Sequence, residues 1–200
     1  MMVVIVDLCG TLVLENTTRG FLEHLRRQNR AHCLADVALS PLVSRFAAIT
    51  GADIVRPMLI RSLRGIPKDT LYEEASLYVD DLLHLKLNEK VVRLIEDRKS
   101  KGAQFVLATA SLDPIAAAVG RRMSFSRVIS SKLEYRNGVS TGHLELDVRG
   151  AKWSQVMTSF PELANSEKIV AITDNAEDED LRSVATELHY MAHQNAARKN

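Results

Sequence analysis

Three short apolar runs rich in β-branched residues, at 3–6 (VVIV), 104–108 (QFVLA) and 168–172 (KIVAI), constrain the fold of this chain more than any other feature. A run of that length without polar alternation suits a strand buried on both faces, and such strands belong to parallel sheets covered by helices. Helical patterns lie between the runs, at 90–99, 114–122 and 152–160. Strands that alternate with helices predict an α/β fold with a parallel, doubly wound sheet. Shorter strands are predicted at 127–131 and 188–191.

Two segments depart from this alternation. Between 132 and 146 the text KLEYRNGVSTGHLEL carries Asn137-Gly138 between alternating segments. Both residues tolerate positive φ, so the pair predicts a tight hairpin and an antiparallel flap beside the sheet. From 17 to 85 no strand pattern is evident, and helical patterns are punctuated by Ser40-Pro41, Gly51, Arg56-Pro57 and Gly65-Ile66-Pro67. This stretch reads as a helical insertion. Its first part is rich in arginine (Arg26, Arg27, Arg30, Arg45, Arg56, Arg61) and its later part, 69–81, is acidic. Two solvated helix faces account for this, and an arginine that reads an anion is the alternative.

A chain of 200 residues has room for one α/β domain, or for a core with a small insertion, but not for two full-size domains. The net charge of +1 gives no field that would draw the whole surface to nucleic acid or membrane, so neither is expected as a partner. A small soluble ligand is expected instead. Cys9 and Cys33, the two cysteines, form no disulfide or metal framework, which suits a reducing compartment and predicts the cytoplasm. The opening MMVVIVDLCG lacks a basic leader and its apolar run stops at an aspartate, so it reads as a first strand and not as a signal peptide. No stretch is apolar for long enough to span a bilayer. His189 and His193 have i, i+4 spacing, but Tyr190 stands where a zinc-protease motif needs glutamate, so no zinc site is expected.

In an open parallel sheet, ligands bind beyond the carboxyl ends of the strands. That rule singles out Asp7, Thr109 and Asp174, which follow the three apolar runs. Behind Asp7 comes Leu8-Cys9-Gly10-Thr11, a loop whose glycine allows close approach to a ligand. Behind Thr109 come Ala110 and Ser111, with Ser111 a candidate N-cap for the helix that Pro114 opens. The free amides of that helix start favour an anion. Asp178 lies four residues beyond Asp174, within reach of the same cation, and hard carboxylate oxygens suit Mg²⁺. Lys152, in the first turn of a predicted helix, opposes the helix dipole, and a bound phosphoryl group would explain its position.

DLCGTL (7–12), LATAS (107–111), the lysine of GAKWSQV (Lys152) and TDNAEDEDL (173–181) match, in order, the four motifs of the haloacid dehalogenase superfamily. The chain resembles in particular its phosphoserine-phosphatase-like branch, through the helical insertion and the flap VISSKLEYRNGVSTGHL. The resemblance implies a Rossmann-like core over 1–16 and 86–200 with a helical cap over 17–85. It implies that Asp7 attacks phosphorus to form an aspartyl-phosphate on a small phosphorylated substrate. Thr109 would bind phosphoryl oxygens together with Gly10, Thr11, Ala110 and Ser111, and Lys152 would hold Asp7 and the phosphate in register. Mg²⁺ would take Asp7, Asp174 and the backbone carbonyl of Cys9, with Asp178 supporting that shell.

Cys9 departs from the pattern, because phosphatases of the superfamily usually carry an acid/base aspartate there. A thiol, with an unperturbed pKa of about 8.5, does that work poorly. A small buried apolar role for Cys9 stands beside acid/base, redox and covalent ones. Asn16 occupies the position of a substrate-reading glutamate in phosphoserine phosphatases, which argues against phosphoserine; capping the first cap helix is its other role. Three functions remain in view: a small-molecule phosphatase or phosphotransferase, a catalytically weak phosphate-binding or regulatory protein, and carbon–halogen hydrolysis, which leaves the metal carboxylates unexplained.

Overall fold

The computed structural model describes residues 1–30, 40, 41, 43, 45, 54–175 and 178–191. Its centre is a six-stranded sheet built from β1 (Met2–Val6), β2 (Gln104–Leu112), β3 (Arg127–Arg136), β4 (Val139–Leu146), β5 (Lys168–Thr173) and β6 (Glu187–Tyr190), in the order β4-β3-β2-β1-β5-β6. All neighbours are parallel except β3 and β4. The expected α/β architecture is therefore present, and the three apolar runs occupy its three central strands, with β1 between β2 and β5.

Alternate side chains of these strands feed two cores. Val4 and Val6 of β1, with Leu107, Val170 and Ile172, face helices α1 (Thr17–Arg27), α3 (Lys68–Lys86) and α5 (Asp113–Arg122). Val3 and Ile5, with Val106, Ala108 and Ala171, face α6 (Lys152–Ser159) and Leu163 of a short 3₁₀ turn. Burial on both faces explains why these strands carry no polar alternation. Helix α4 (Glu89–Ser100) opens at Asn88, whose side chain accepts from the Lys90 amide at 3.2 Å.

The inserted segment is helical where it is described, with α1, α2 (Val55–Arg61) and α3. Its apolar residues Phe21, Leu22, Leu25, Leu71 and Val79 share one buried cluster with β1 and β2. The insertion and the sheet thus pack as one body on that face. Asn16 caps α1, accepting from the Arg19 amide at 3.0 Å.

The hairpin turns at Asn137 and Gly138, both at positive φ (52° and 76°), as the pair predicts. The strand expected at 127–131 and the first arm of the hairpin are one: β3 runs unbroken from a parallel pairing with β2 into the antiparallel pairing with β4. The hairpin also carries the α2–α3 turn. Lys68 N–H donates to the Gly138 carbonyl at 2.8 Å, Gly65 N–H to Ser140 O at 2.8 Å, and Ser140 N–H to Ile66 O at 3.0 Å.

Strand β2 also exceeds expectation, reaching Leu112. The Thr109 hydroxyl accepts from the Ser111 amide at 3.1 Å and donates to Ser111 Oγ at 3.0 Å, which holds the chain extended through a register shift against β3. Helix α5 then starts at Asp113, preceded by Leu112 with no side-chain cap. Ser111 is not the N-cap that the sequence suggests.

Candidate active site

Asp7, Thr109 and Asp174 meet at the carboxyl edge of the sheet because their strands are neighbours. They line a cavity of about 500 Å³, a size that suits a small-molecule site. Cys9, Ala110, Ser111 and Lys152 line it as well, and helix α2 closes one side with Val55, Arg56 and Leu59.

Asp7 is buried. One oxygen, Oδ1, accepts the Leu8 amide at 2.7 Å, and the other, Oδ2, lies 2.9 Å from Lys152 Nζ. Burial pushes its carboxyl up from 3.8 to about 6, with Lys152 opposing the rise and Asp178 adding to it. Lys152 is 1% exposed and contacts Asp178 Oδ2 at 2.6 Å on its other side. Its burial disfavours the charge, but Asp7 and Asp178 together hold its pKa above the ordinary value. The lysine that opposes its own helix dipole is thus matched by two carboxylates.

Asp178 lies behind this lysine, fully buried and away from the cavity lining. Its Oδ2 also accepts the Thr173 hydroxyl at 2.6 Å, while Oδ1 is buried with no hydrogen-bond partner among the described residues. The structure therefore gives Asp178 a hold on Lys152 in place of a direct position against a cation in the cavity. The Thr173 hydroxyl thus supplies a hydrogen bond that the sequence did not disclose.

Thr11 and Gly10 also differ from expectation. The Thr11 hydroxyl donates to Asp174 Oδ1 at 2.9 Å and accepts the Asp174 amide at 2.8 Å, so it holds the carboxylate and does not line the cavity. Gly10 does not line it either; its φ of 75° lets the chain turn directly after Cys9. Ser111 does line it, with its Oγ 2.7 Å from Thr17 Oγ1 at the start of α1. Asn16, Thr18, Arg56, Arg149 and Asn175 complete the polar wall, and no motif had marked them as a set.

The Cys9 thiol donates to the Glu15 carbonyl at 3.2 Å. Burial pushes it up to about 11, against a lowering by hydrogen bonding from Thr17, so it stays a neutral thiol near pH 7. The glutamate itself is engaged elsewhere, accepting from Tyr78 Oη at 2.8 Å.

Among the described residues, no group of three or more His, Cys, Asp or Glu side chains could hold a metal. The donors at the cavity are two carboxylates, Asp7 and Asp174. That set fits Mg²⁺, which uses one or two carboxylates and completes its shell with water and phosphate oxygens.

A carboxylate, a buried lysine and a second carboxylate thus stand together at one edge of a parallel sheet. The chain belongs to the haloacid dehalogenase-like hydrolases, whose family model matches residues 4–181. No curated protein sequence matches the chain. Among solved structures, it is similar to a protein of unknown function from Bordetella pertussis (TM-score 0.82, 18% identity, 98% of this chain and 92% of that one). It is similar to a HAD family hydrolase from Salmonella enterica serovar Typhi (TM-score 0.70, 19% identity), covering 98% of this chain and 64% of that one. A phosphoserine phosphatase with a phospho-aspartyl intermediate analogue also shares the fold (TM-score 0.62, 13% identity, 97% and 95% covered).

Proposed function

We propose that the protein is a Mg²⁺-dependent phosphatase or phosphotransferase that acts on a small phosphorylated compound through an aspartyl-phosphate at Asp7. The observation that carries this reading is the buried Asp7–Lys152–Asp178 arrangement, with contacts of 2.9 and 2.6 Å, opening on a cavity lined by hydroxyls. A carboxylate oxygen of Asp7 attacks phosphorus, and the bond to the leaving oxygen breaks with its electron pair. Lys152 neutralises the incoming phosphoryl charge, and Thr109 and Ser111 donate hydrogen bonds to it. Asp7 and Asp174 would hold Mg²⁺, which supplies further charge neutralisation at the phosphoryl group when bound.

Water then attacks the aspartyl-phosphate, its protons stay with the phosphate product, and the carboxylate is regenerated. Hydrolysis of p-nitrophenyl phosphate with and without Mg²⁺, for wild type beside Asp7→Asn, tests the reading. Metal-dependent turnover that disappears in Asp7→Asn is the expected result.

One observation favours a second reading, a catalytically weak phosphate-binding protein. The Cys9 thiol is protonated and spends its hydrogen bond on Glu15, so it offers little acid/base help. A large rate gain in Cys9→Asp would support this alternative, because it would mark the site as a weakened one.

A further inference from the structure

Arg56 projects from α2 in the insertion and lines the cavity, yet its guanidinium is engaged with the core. Its Nη2 donates to the Ala110 carbonyl at 3.0 Å, to Ser131 Oγ at 3.2 Å and to Asp147 Oδ1 at 3.0 Å, while Nη1 pairs with Asp147 Oδ2. The side chain is only 15% exposed. Ala110 lies between Thr109 and Ser111, on one arm of the phosphate cradle. Asp147 accepts the Ser131 hydroxyl at 3.2 Å and the Arg149 amide at 3.1 Å, and Ser131 Oγ accepts the Val148 amide at 3.1 Å. The segment pinned in this way leads five residues on to Lys152, the other arm. One planar fork thus reaches both arms and the helix that walls the cavity.

We propose that Arg56 is a positioning residue: through Ala110 and Asp147 it seats α2 over the cavity and sets the spacing between the Thr109–Ser111 arm and the Lys152 arm. A guanidinium presents its donors in a rigid planar fork that suits acceptors held at fixed angles, whereas a lysine ammonium offers three donors from a single point. Arg56 and Asp147 pair through both Nη atoms, so each holds the other in place. The proposal rests on the phosphoryl-transfer reading for its kinetic consequences but not for its geometry, and the two can be tested apart.

The test compares wild type, Arg56→Lys, Asp147→Asn and the double variant. Hydrogen exchange reads the geometry without any turnover. In both single variants, amides of 55–61 and 109–112 are expected to exchange faster by roughly tenfold or more, with β5 and β6 unchanged. Kinetics on p-nitrophenyl phosphate read the consequence. Each single variant should lower kcat by roughly 10- to 100-fold, as misplacement near the reacting groups does. Inhibition by inorganic phosphate should weaken in parallel, and the double variant should be no worse than the poorer single one.

Asp147→Asn removes only a partly exposed charge, so it keeps the test alive if Arg56→Lys folds poorly. Unchanged exchange at 55–61 and 109–112 in Asp147→Asn would overturn the proposal, as would additive kinetic losses. Faster exchange in a protein without Asp7-dependent turnover would sustain the bracket and overturn the phosphatase reading instead.

Discussion

Thr11 and Asp174 stand 163 residues apart in sequence yet exchange two hydrogen bonds, hydroxyl to carboxylate at 2.9 Å and amide to hydroxyl at 2.8 Å. The loop after β1 is thereby locked to the end of β5, and one oxygen of the second carboxylate is aimed. On the proposed role of Asp174 as a Mg²⁺ ligand, a group that orients it in this way typically matters ~10- to 100-fold for affinity or activity. Thr11→Val is accordingly expected to raise the Mg²⁺ concentration needed for half-maximal activity by that order, while Thr11→Ser stays near wild type. A Mg²⁺ titration of turnover checks this.

With the Cys9 thiol held protonated, the proposed phosphoryl transfer is expected to depend on the leaving group. Without general acid help, alkyl phosphates should lag behind acyl or nitrophenyl phosphates by more than in the aspartate variant, and such help is typically worth ~10²- to 10⁴-fold. A series of phosphate esters graded by leaving-group acidity, run on wild type and Cys9→Asp, reads this as two slopes. The wild-type slope should be the steeper one.

Asp7 carries a cost in stability that has a definite pH dependence. Its folded-state pKa is raised from 3.8 to about 6, chiefly by burial, so the folded protein binds that proton more tightly than the unfolded chain does. Stability contributed by this group is present below 3.8, is lost as pH rises to about 6, and is not regained above. Asp7→Asn is therefore expected to melt higher than wild type at pH 7 without Mg²⁺, with the gain shrinking as pH falls toward 3.8. Thermal melts across that range, in chelator, are the measurement.

Gly142 holds the hairpin against the insertion. Its φ is +76°, and an added Cβ would lie 2.9 Å from Arg64 Cβ and 3.0 Å from the Arg61 carbonyl. Gly150 has a similar φ of +69° with nothing within 4 Å of the same position. Gly150→Ala should cost only the backbone strain, about 1–2 kcal/mol. Gly142→Ala should cost more than that, because the Arg61 backbone and the Arg64 Cβ stand where the new methyl would go. Denaturant unfolding of the two variants isolates the difference.

The central strands were legible because strands buried on both faces leave an uninterrupted apolar signature, and the strand-end rule then places Asp7, Thr109 and Asp174 at one edge from sequence alone. What stayed hidden was decided by distant partners. Ser111 before a proline-opened helix reads as a cap, but its hydroxyl went to Thr109 and Thr17. Thr11 and Thr173 fall inside matched motifs, but their bonds to Asp174 and Asp178 become visible only in the fold. Arg56 was one arginine in a basic run, and only the fold shows that Asp147, 91 residues later, singles it out.

The most direct measurement is the covalent state of Asp7 during turnover. Acid quenching of the enzyme with Mg²⁺ and p-nitrophenyl phosphate, followed by mass spectrometry of the peptide bearing residue 7, should find one added phosphoryl group that is missing in Asp7→Asn. Turnover that persists in Asp7→Asn, or a phosphoryl group on another side chain, would contradict the account.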